Sequence, residues 1–145
     1  GVLDRMAEMN IVEKVIALEA VDLFKSLTPD QLSRIAAIAR EERITPGVSV
    51  LEPDKPLDAL YVILDGTVEI ARGGQVLHVA TQNEVLGAWA LFDSDPMPVT
   101  AKTREDTRLL RILREDFFDL LSDNMEIAAN IFATLVKRFR KLVEG

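Results

Sequence analysis

Apolar residues near the start of the chain recur at helical spacing, in two successive blocks. Between residues 3 and 22 they fall three or four positions apart, and neither glycine nor proline interrupts them. The second block begins at Thr28, which can cap a helix whose first residue is Pro29, and Gln31 can complete the capping box. The pattern predicts one helix over residues 3–22 and a second from Thr28 to about residues 41–43.

The residue pattern changes from helical to strand-like after residue 43. Short β-branched stretches alternate with turns, and this part of the chain holds most of the prolines and glycines. Asp65-Gly66 and Gly73-Gly74 are typical hairpin turns. The clearest strands are predicted at residues 48–51, 60–64, 67–71, 75–80 and 108–113. We expect about eight short strands in a sandwich or barrel.

Helical spacing returns at Arg114. It predicts a short helix ending near Asn124 and a longer one from about Met125 to Val143. The chain therefore divides into a helical lead-in over 1–22 and one globular unit over 23–145. That unit holds a β-roll over 44–113 and C-terminal helices over 114–143, which makes the fold class α+β.

Composition narrows the range of partners. The chain has 145 residues, 17 of them basic and 24 acidic, so its formal net charge is −7. Such a charge disfavours general binding to nucleic acid or anionic membranes. Without cysteine, the chain has no disulfide, thiol nucleophile or thiolate metal ligand. No apolar run reaches the ~18 residues of a membrane span, and we expect a cytoplasmic domain.

Several motifs resemble one known family. They are Leu23–Thr28 before the second helix, Pro46-Gly47 as the turn before the first strand, Asp58–Val68 as a strand–turn–strand, and Val85–Phe92. Together they resemble the cyclic-nucleotide-binding domain of bacterial regulators, protein kinase regulatory subunits and gated channels. The resemblance implies a double-stranded β-helix, or jelly-roll, of eight strands flanked by N-terminal helices and by a short and a long C-terminal helix. It also implies a regulatory domain with a phosphate-binding cassette near residues 85–100.

The cassette departs from the family pattern at two positions. In the family, a glutamate after the glycine accepts from the ribose hydroxyl, and an arginine after the proline pairs with the phosphate. Here Gly87, Pro96 and Thr100 match, but Ala88 and Met97 replace the two ligand-holding side chains. The resemblance places the pocket, if it is functional, at Leu86, Gly87, Ala88, Trp89, Ala90, Pro96, Met97, Val99 and Thr100.

Local charge adds to this departure. Between residues 83 and 99 the charged side chains are Glu84, Asp93 and Asp95, all acidic. Burying a phosphate without a cation costs several kcal/mol. The cations nearest in sequence are Lys102 and Arg104, and strand alternation could bring one of them toward the pocket. We therefore expect that binding of cAMP or cGMP is lost and that the chain holds no cofactor.

The alternative is a genuine sensor of cAMP or cGMP that uses backbone N–H groups at residues 87–90 and non-standard side chains. Trp89 is interpreted either as a packed core or rim residue or as a side chain that fills the vacated pocket. Met97 could fill it in the same way, because methionine adapts to irregular gaps.

Other chemistry has little support. His78 is the only histidine and lies in a predicted strand, where a structural or surface role is expected rather than general-base catalysis. The run Asp93-Ser94-Asp95 could ligate a hard cation, but solvated acids are the commoner case. Basic residues over 137–141 complement the end of a helix, and this fragment shows no helix for reading DNA. We expect neither an enzyme nor a nucleic-acid-binding domain.

The long C-terminal helix has two interpretations. Ile131, Leu135 and Phe139 lie near one apolar stripe, which either covers the β-roll as a lid or pairs with a second copy into a homodimer. The chain opens at Gly1 without methionine, and its lead-in resembles that of domains appended to helical-repeat or translocase-like bacterial proteins. The expected partner is the remainder of a larger parent chain, and the domain is then cytoplasmic or the cytosolic part of a membrane or repeat protein.

Overall fold

A computed structural model of the chain describes residues 9–93 and 95–145, with only the backbone of Trp89. The helices are α1 (Ile11–Leu18), α2 (Pro29–Ile38), α3 (Arg114–Asp123) and α4 (Met125–Glu144), with 3₁₀ turns at Asp22–Phe24 and Ala88–Leu91. The strands are β1 (Arg40–Ile44), β2 (Ser49–Leu51), β3 (Ala59–Asp65), β4 (Val68–Arg72), β5 (Gln75–Ala80), β6 (Val85–Leu86), β7 (Thr100–Thr103) and β8 (Thr107–Leu113).

The first helix is shorter than predicted. Asn10 caps it by accepting from the Glu13 N–H at 2.9 Å, and it ends at Leu18 rather than at residue 22. In a continued helix Leu23 would lie roughly 140° around the axis from Leu18, yet both side chains are buried. The break after Leu18 lets both reach the same core. The predicted helical residues 3–8 lie outside the described part of the chain.

The second helix begins as predicted and ends earlier. The Thr28 N–H donates to Gln31 Oε1 at 3.0 Å and the Gln31 N–H donates to Thr28 Oγ1 at 3.2 Å, which confirms the capping box. The predicted end at residues 41–43 is wrong, because residues 40–44 form β1 against β8. Ladder hydrogen bonds and ion pairs across these strands override the local helix propensity of a charged segment. The β-roll therefore starts at residue 40, not 44.

The strands form a jelly-roll of two four-stranded sheets, in the orders β1-β8-β3-β6 and β2-β7-β4-β5. All the strand pairs described in these sheets are antiparallel. The eight predicted strands and the α+β class are thus confirmed for the described residues. The boundaries move by a residue or two, except for β5, which spans the predicted residues 75–80.

Two apolar clusters lie on opposite faces of the first sheet. The helical cluster joins Leu60, Val62, Leu110 and Ile112 of the sheet to buried residues of the helices, among them Leu18, Phe24, Ile35, Phe117, Ile127 and Ile131. The inner cluster fills the space between the sheets and comprises Leu51, Leu57, Ile63, Val68, Ala80, Leu86, Ala90, Ala101 and Leu109. Neighbouring residues of one strand, such as Val62 and Ile63, therefore belong to different clusters, as the two-residue period of a strand requires.

The C-terminal helices start and end close to the predicted positions. The first turns of α4 dock on the domain through buried Ile127, Ile131 and Thr134. Ser26 Oγ and Thr134 Oγ1 are 2.7 Å apart, and Asn130 Nδ2 donates to Gln31 Oε1 at 2.9 Å. Beyond residue 134 the helix is exposed. None of the helices in the described residues combines the length and the apolar run that crossing a bilayer requires.

We predict that Gly66→Ala destabilises the fold far more than Gly47→Ala. Both glycines have positive φ, +103° and +81°, so each alanine incurs about 1–2 kcal/mol of left-handed backbone strain. Only at Gly66 would the new Cβ lie 2.5 Å from Thr107 Oγ1 and 2.7 Å from the Asp106 carbonyl oxygen. Overpacking adds about 1–3 kcal/mol there. Urea denaturation should show this difference, and equal losses for the two variants would contradict it.

Candidate functional site

The cassette begins at a glycine that holds it against the first sheet. Gly87 follows β6 with φ +70°, and a Cβ at this position would lie 3.1 Å from the Ala59 carbonyl oxygen of β3. The Ala90 N–H donates to the Gly87 carbonyl oxygen at 2.9 Å, which closes the 3₁₀ turn. A side chain at residue 87 would both strain the turn and press on β3.

The side chains of the cassette divide between the two clusters. Leu86 and Ala90 are buried in the inner cluster. Ala88 and Leu91 pack with the helical cluster. The side chain of Trp89 lies outside the described part of the structure, so its predicted filling of the pocket stays a prediction. The cassette thus connects both cores, and the residue in the place of the family's glutamate packs toward the helices.

The second arm of the candidate pocket is the segment from residue 95 to residue 100. It brings Met97 against the inner cluster. Asp95 and Pro96 are exposed, whereas Met97 is half-buried and packs against the inner cluster. Val99 is buried, and Thr100 opens β7 with its hydroxyl donating to the Ala71 carbonyl oxygen at 3.4 Å. A thioether therefore contributes to apolar packing at the position where the resemblance places an arginine.

The cations that follow the cassette most closely in sequence lie on the outer surface of the roll. In β7 the side chains of Ala101 and Thr103 are buried and Lys102 between them is exposed. Arg104 Nε lies 2.7 Å from Glu69 Oε2. Because Glu69 alternates with inward-packed neighbours on β4, this ion pair lies outside the roll. Strand alternation thus directs Lys102 outward, and Glu69 holds Arg104 there.

A hydrogen-bonded pair that the sequence analysis missed tethers the loop before the cassette. His78 of β5 pairs with Glu84 Oε1, and the Thr81 N–H donates to Glu84 Oε2 at 2.6 Å. The hydrogen bond from His78, followed by that from Thr81, lowers the pKa of Glu84 below its ordinary value. The surface role expected for His78 fits this arrangement. The sequence feature that could have indicated this pair is a histidine six residues before a glutamate, with a turn between them.

The three residues predicted for the long helix have different environments. Ile131 is 2% exposed within the helical cluster, so it serves the lid interpretation. Leu135 is 36% exposed and Phe139 is 66% exposed. An apolar groove of about 240 Å³ runs between the end of the cassette and α4, lined by Phe92, Leu121, Ala128, Ile131, Phe132 and Leu135. Pairing with a second copy through Leu135 and Phe139 stays a prediction.

Comparison with known proteins identifies the fold and the family. The sequence description of the cyclic nucleotide-binding domain family matches residues 41–124. The chain belongs to this family. In structure, this cyclic nucleotide-binding domain is similar to the N-terminal domain of a transcriptional regulator from Streptomyces coelicolor A3(2). The TM-score is 0.82 at 25% identity, over 89% of this chain and 96% of that one.

Relatives of the domain include regulators and channels. The chain is 28% identical over 124 residues to the cyclic AMP receptor protein of Thermus thermophilus, over 82% of this chain and 57% of that protein. It is 26% identical to the potassium channel AKT1 of Oryza sativa, over 88% of this chain and 14% of the channel. The chain thus spans only part of the length of these relatives.

We predict that the contact between His78 and Glu84 makes stability depend on acid pH. Because the folded-state pKa of Glu84 is lowered, its contribution is complete above the unfolded value and is lost as the pH falls through the folded pKa. The carboxylate is partly exposed, so the effect should stay below about 1 kcal/mol. Thermal unfolding between about pH 6 and 3 should show a shallower acid decline for Glu84→Gln and for His78→Ala than for the wild type. A decline as steep as in the wild type for either variant would contradict the contact.

Proposed function

We propose that this domain is a non-catalytic regulatory module that has lost ordinary binding of cAMP and cGMP while keeping the family scaffold. The observation that carries the proposal is Met97, whose side chain packs against the inner cluster where the family pattern has its phosphate-binding arginine. Ala88 replaces the ribose-binding glutamate. Neither an alanine nor a thioether replaces the hydrogen bonds that these side chains make.

Electrostatics supports the loss. A charge-assisted hydrogen bond contributes roughly 1.5–3 kcal/mol, and the family cassette supplies several to one phosphate. Here Asp93 and Asp95 shortly precede Met97, and Arg104 is held by Glu69 outside the roll. A cyclic phosphate placed beside Met97 would therefore meet acidic neighbours and apolar packing, and its desolvation would not be offset.

The second candidate function is a sensor that holds the phosphate by backbone N–H groups alone. Residues 87–90 offer such groups, and Gly87 keeps the family's glycine at the start of the cassette. The Ala90 N–H, however, already donates to the Gly87 carbonyl oxygen at 2.9 Å. This internal bond reduces the donors left for an anion, so we favour the module without ordinary nucleotide binding.

The role that follows is to report or stabilise a state of a larger parent chain. Relatives carry this domain within longer proteins. The matched part covers 57% of the cyclic AMP receptor protein and 14% of the potassium channel compared above. We further propose that residues 23–145 form the regulatory unit and that residues 1–22 lead into it. The described part of this lead-in packs Leu18 and Val21 into the helical cluster. A movement of the lead-in would therefore change the packing of that cluster.

We predict no saturable binding of cAMP or cGMP below about millimolar concentration, a limit of roughly −4 kcal/mol. Ala88→Glu combined with Met97→Arg should bring binding into the micromolar range, because it restores the two missing contacts. Isothermal calorimetry measures both proteins. Micromolar binding by the unmodified protein would refute the proposed loss.

A third variant controls for steric blocking at the cassette. Adding Trp89→Leu to the double change tests whether the large side chain excludes the nucleotide. Because Ala88 packs toward the helical cluster, a glutamate there must turn toward the roll to reach a ribose. Failure of the triple variant to bind, with its fold intact by circular dichroism, would mean that the two replaced side chains do not account for the loss.

We also propose that α4 pairs with a second copy of the chain. The exposed apolar residues Phe132, Val136, Phe139 and Val143 are spaced alternately by four and three positions. This heptad spacing is the seam of a left-handed coiled coil. Leu135 and Leu142 lie beside the seam and are also exposed. Ile131 belongs to the lid face, so the seam lies on the side of α4 that faces away from the helical cluster.

We predict that Phe139→Asp converts a dimer into folded monomers at micromolar concentration, because it places a charge in the seam. Leu135→Asp should weaken the dimer less, since Leu135 lies beside the seam and not in it. Lys137→Asp is the control, as Lys137 lies roughly 160° around the helix from Phe139. Light scattering after size exclusion separates the states. A monomeric wild type, or a dimeric Phe139→Asp variant, would overturn the proposal.

A further inference from the structure

A basic cleft lies at the edge of the first sheet, remote in sequence from the cassette. Its volume is about 580 Å³, and its charged lining is Lys14, Arg40, Arg43, Arg111, Glu41 and Glu42. Four basic and two acidic side chains thus meet in a chain whose formal net charge is −7. Local charge here has the opposite sign to that of the whole molecule.

The strand register sets like charges directly opposite each other. Arg40 lies across from Arg111, and Arg43 lies across from Arg108, in the β1–β8 ladder. Like charges in directly opposed positions destabilise a sheet. Two such pairs on one short edge strand are a local conflict with the fold, and such conflicts are expected at functional sites.

The two glutamates only partly relieve this repulsion. Glu41 Oε1 lies 2.9 Å from Arg108 Nε, and Glu42 Oε1 lies 2.9 Å from Arg111 Nη2. Glu41 is held further by the Met9 N–H at 3.1 Å, and its side chain is only 10% exposed. Arg43 is farther away, with its Nε 3.8 Å from the same carboxylate oxygen. The acidic side chains are therefore fixed in place, and a surplus of guanidinium groups remains.

One guanidinium atom of the cleft lacks a hydrogen-bond partner among the described residues. Arg111 Nε is buried and has no hydrogen-bond partner in the described structure. A buried polar atom without a partner calls for an explanation such as a water or an anion. Arg111 lines the cleft, and its guanidinium group has hydrogen-bonding capacity that the described protein atoms leave unused.

We propose that this cleft binds a small phosphorylated molecule, independently of the cassette. Guanidinium groups pair with phosphate through two parallel hydrogen bonds. An anion beside Arg40 and Arg111, the opposed pair that lines the cleft, would offset the repulsion between them. The cleft falls in the size range of small-molecule sites, about 300–1,000 Å³. A compact ligand is favoured over an acidic protein, because a large acidic surface would also meet the negative remainder of the domain.

The test is a titration of the whole chain with pyrophosphate, followed by calorimetry and by amide chemical shifts in NMR. We expect saturable binding below about millimolar, with shifts on β1 and β8, and weaker binding at higher salt. Arg40→Gln combined with Arg43→Gln should weaken binding at least tenfold. The control is Arg72→Gln, an exposed arginine of β4, which should bind pyrophosphate as the wild type does.

Stability supplies a second measurement on the same variants. Because the double change removes one member of each opposed pair, the unliganded variant should be at least as stable as the wild type. A loss of stability would mean that the arginines serve the sheet itself, and this would overturn the proposal. Absence of saturable binding would also overturn it. The charges would then serve to prevent the edge strand from pairing with another chain. Shifts confined to the cassette would place the anion at the family site and equally contradict it.

Discussion

The pairing of β3 with β8 is the constraint on which the rest of the structure depends. Both strands lie inside the first sheet and are covered on both faces, so Leu110 faces the helices while the adjacent Leu109 faces the second sheet. A slip of one residue in this register would exchange the two apolar clusters. The cassette follows the same division, because it leaves β6 beside β3 and packs its residues alternately into both clusters.

This division between the two clusters makes the interior of the candidate site apolar. In the interior of the roll, Met97 joins a set of apolar side chains from both sheets. The family pattern would have a cation at that point, facing a phosphate. The interior there is packed as core, and the acids nearby are at the surface, which is the physical basis for proposing that the scaffold persists without its ordinary ligand.

Much of the fold could be predicted because the local signals agree with the tertiary structure. The capping box at Thr28, the turn at Asp65-Gly66 and the apolar alternation of β5 each specify an element by nearby residues alone. The prediction failed where distant partners decide. Residues 40–44 look helical in isolation, and only pairing with β8 makes them a strand. The end of α1 was misplaced because burial of Leu23 in the same core as Leu18 requires a break.

The candidate site was predicted less completely. The replaced residues Ala88 and Met97 could be found by comparison with the family pattern, but the cluster that each side chain joins depends on the three-dimensional path of the cassette. The separation of Ile131 from Phe139 depends on where the body of the domain ends beneath α4. The opposed arginines of β1 and β8 are 65 or more residues apart in the chain, so no local pattern signals them.

The central claim, that Met97 is part of an apolar interior in place of a nucleotide contact, can be tested by methyl NMR. The chain has four methionines, so the Met97 methyl resonance can be assigned by substitution. The account predicts nuclear Overhauser effects from this methyl group to methyl groups of the inner cluster, and no change in its resonance when cAMP is added. A Met97 methyl group that shows no such contacts and shifts saturably with cAMP would contradict the account.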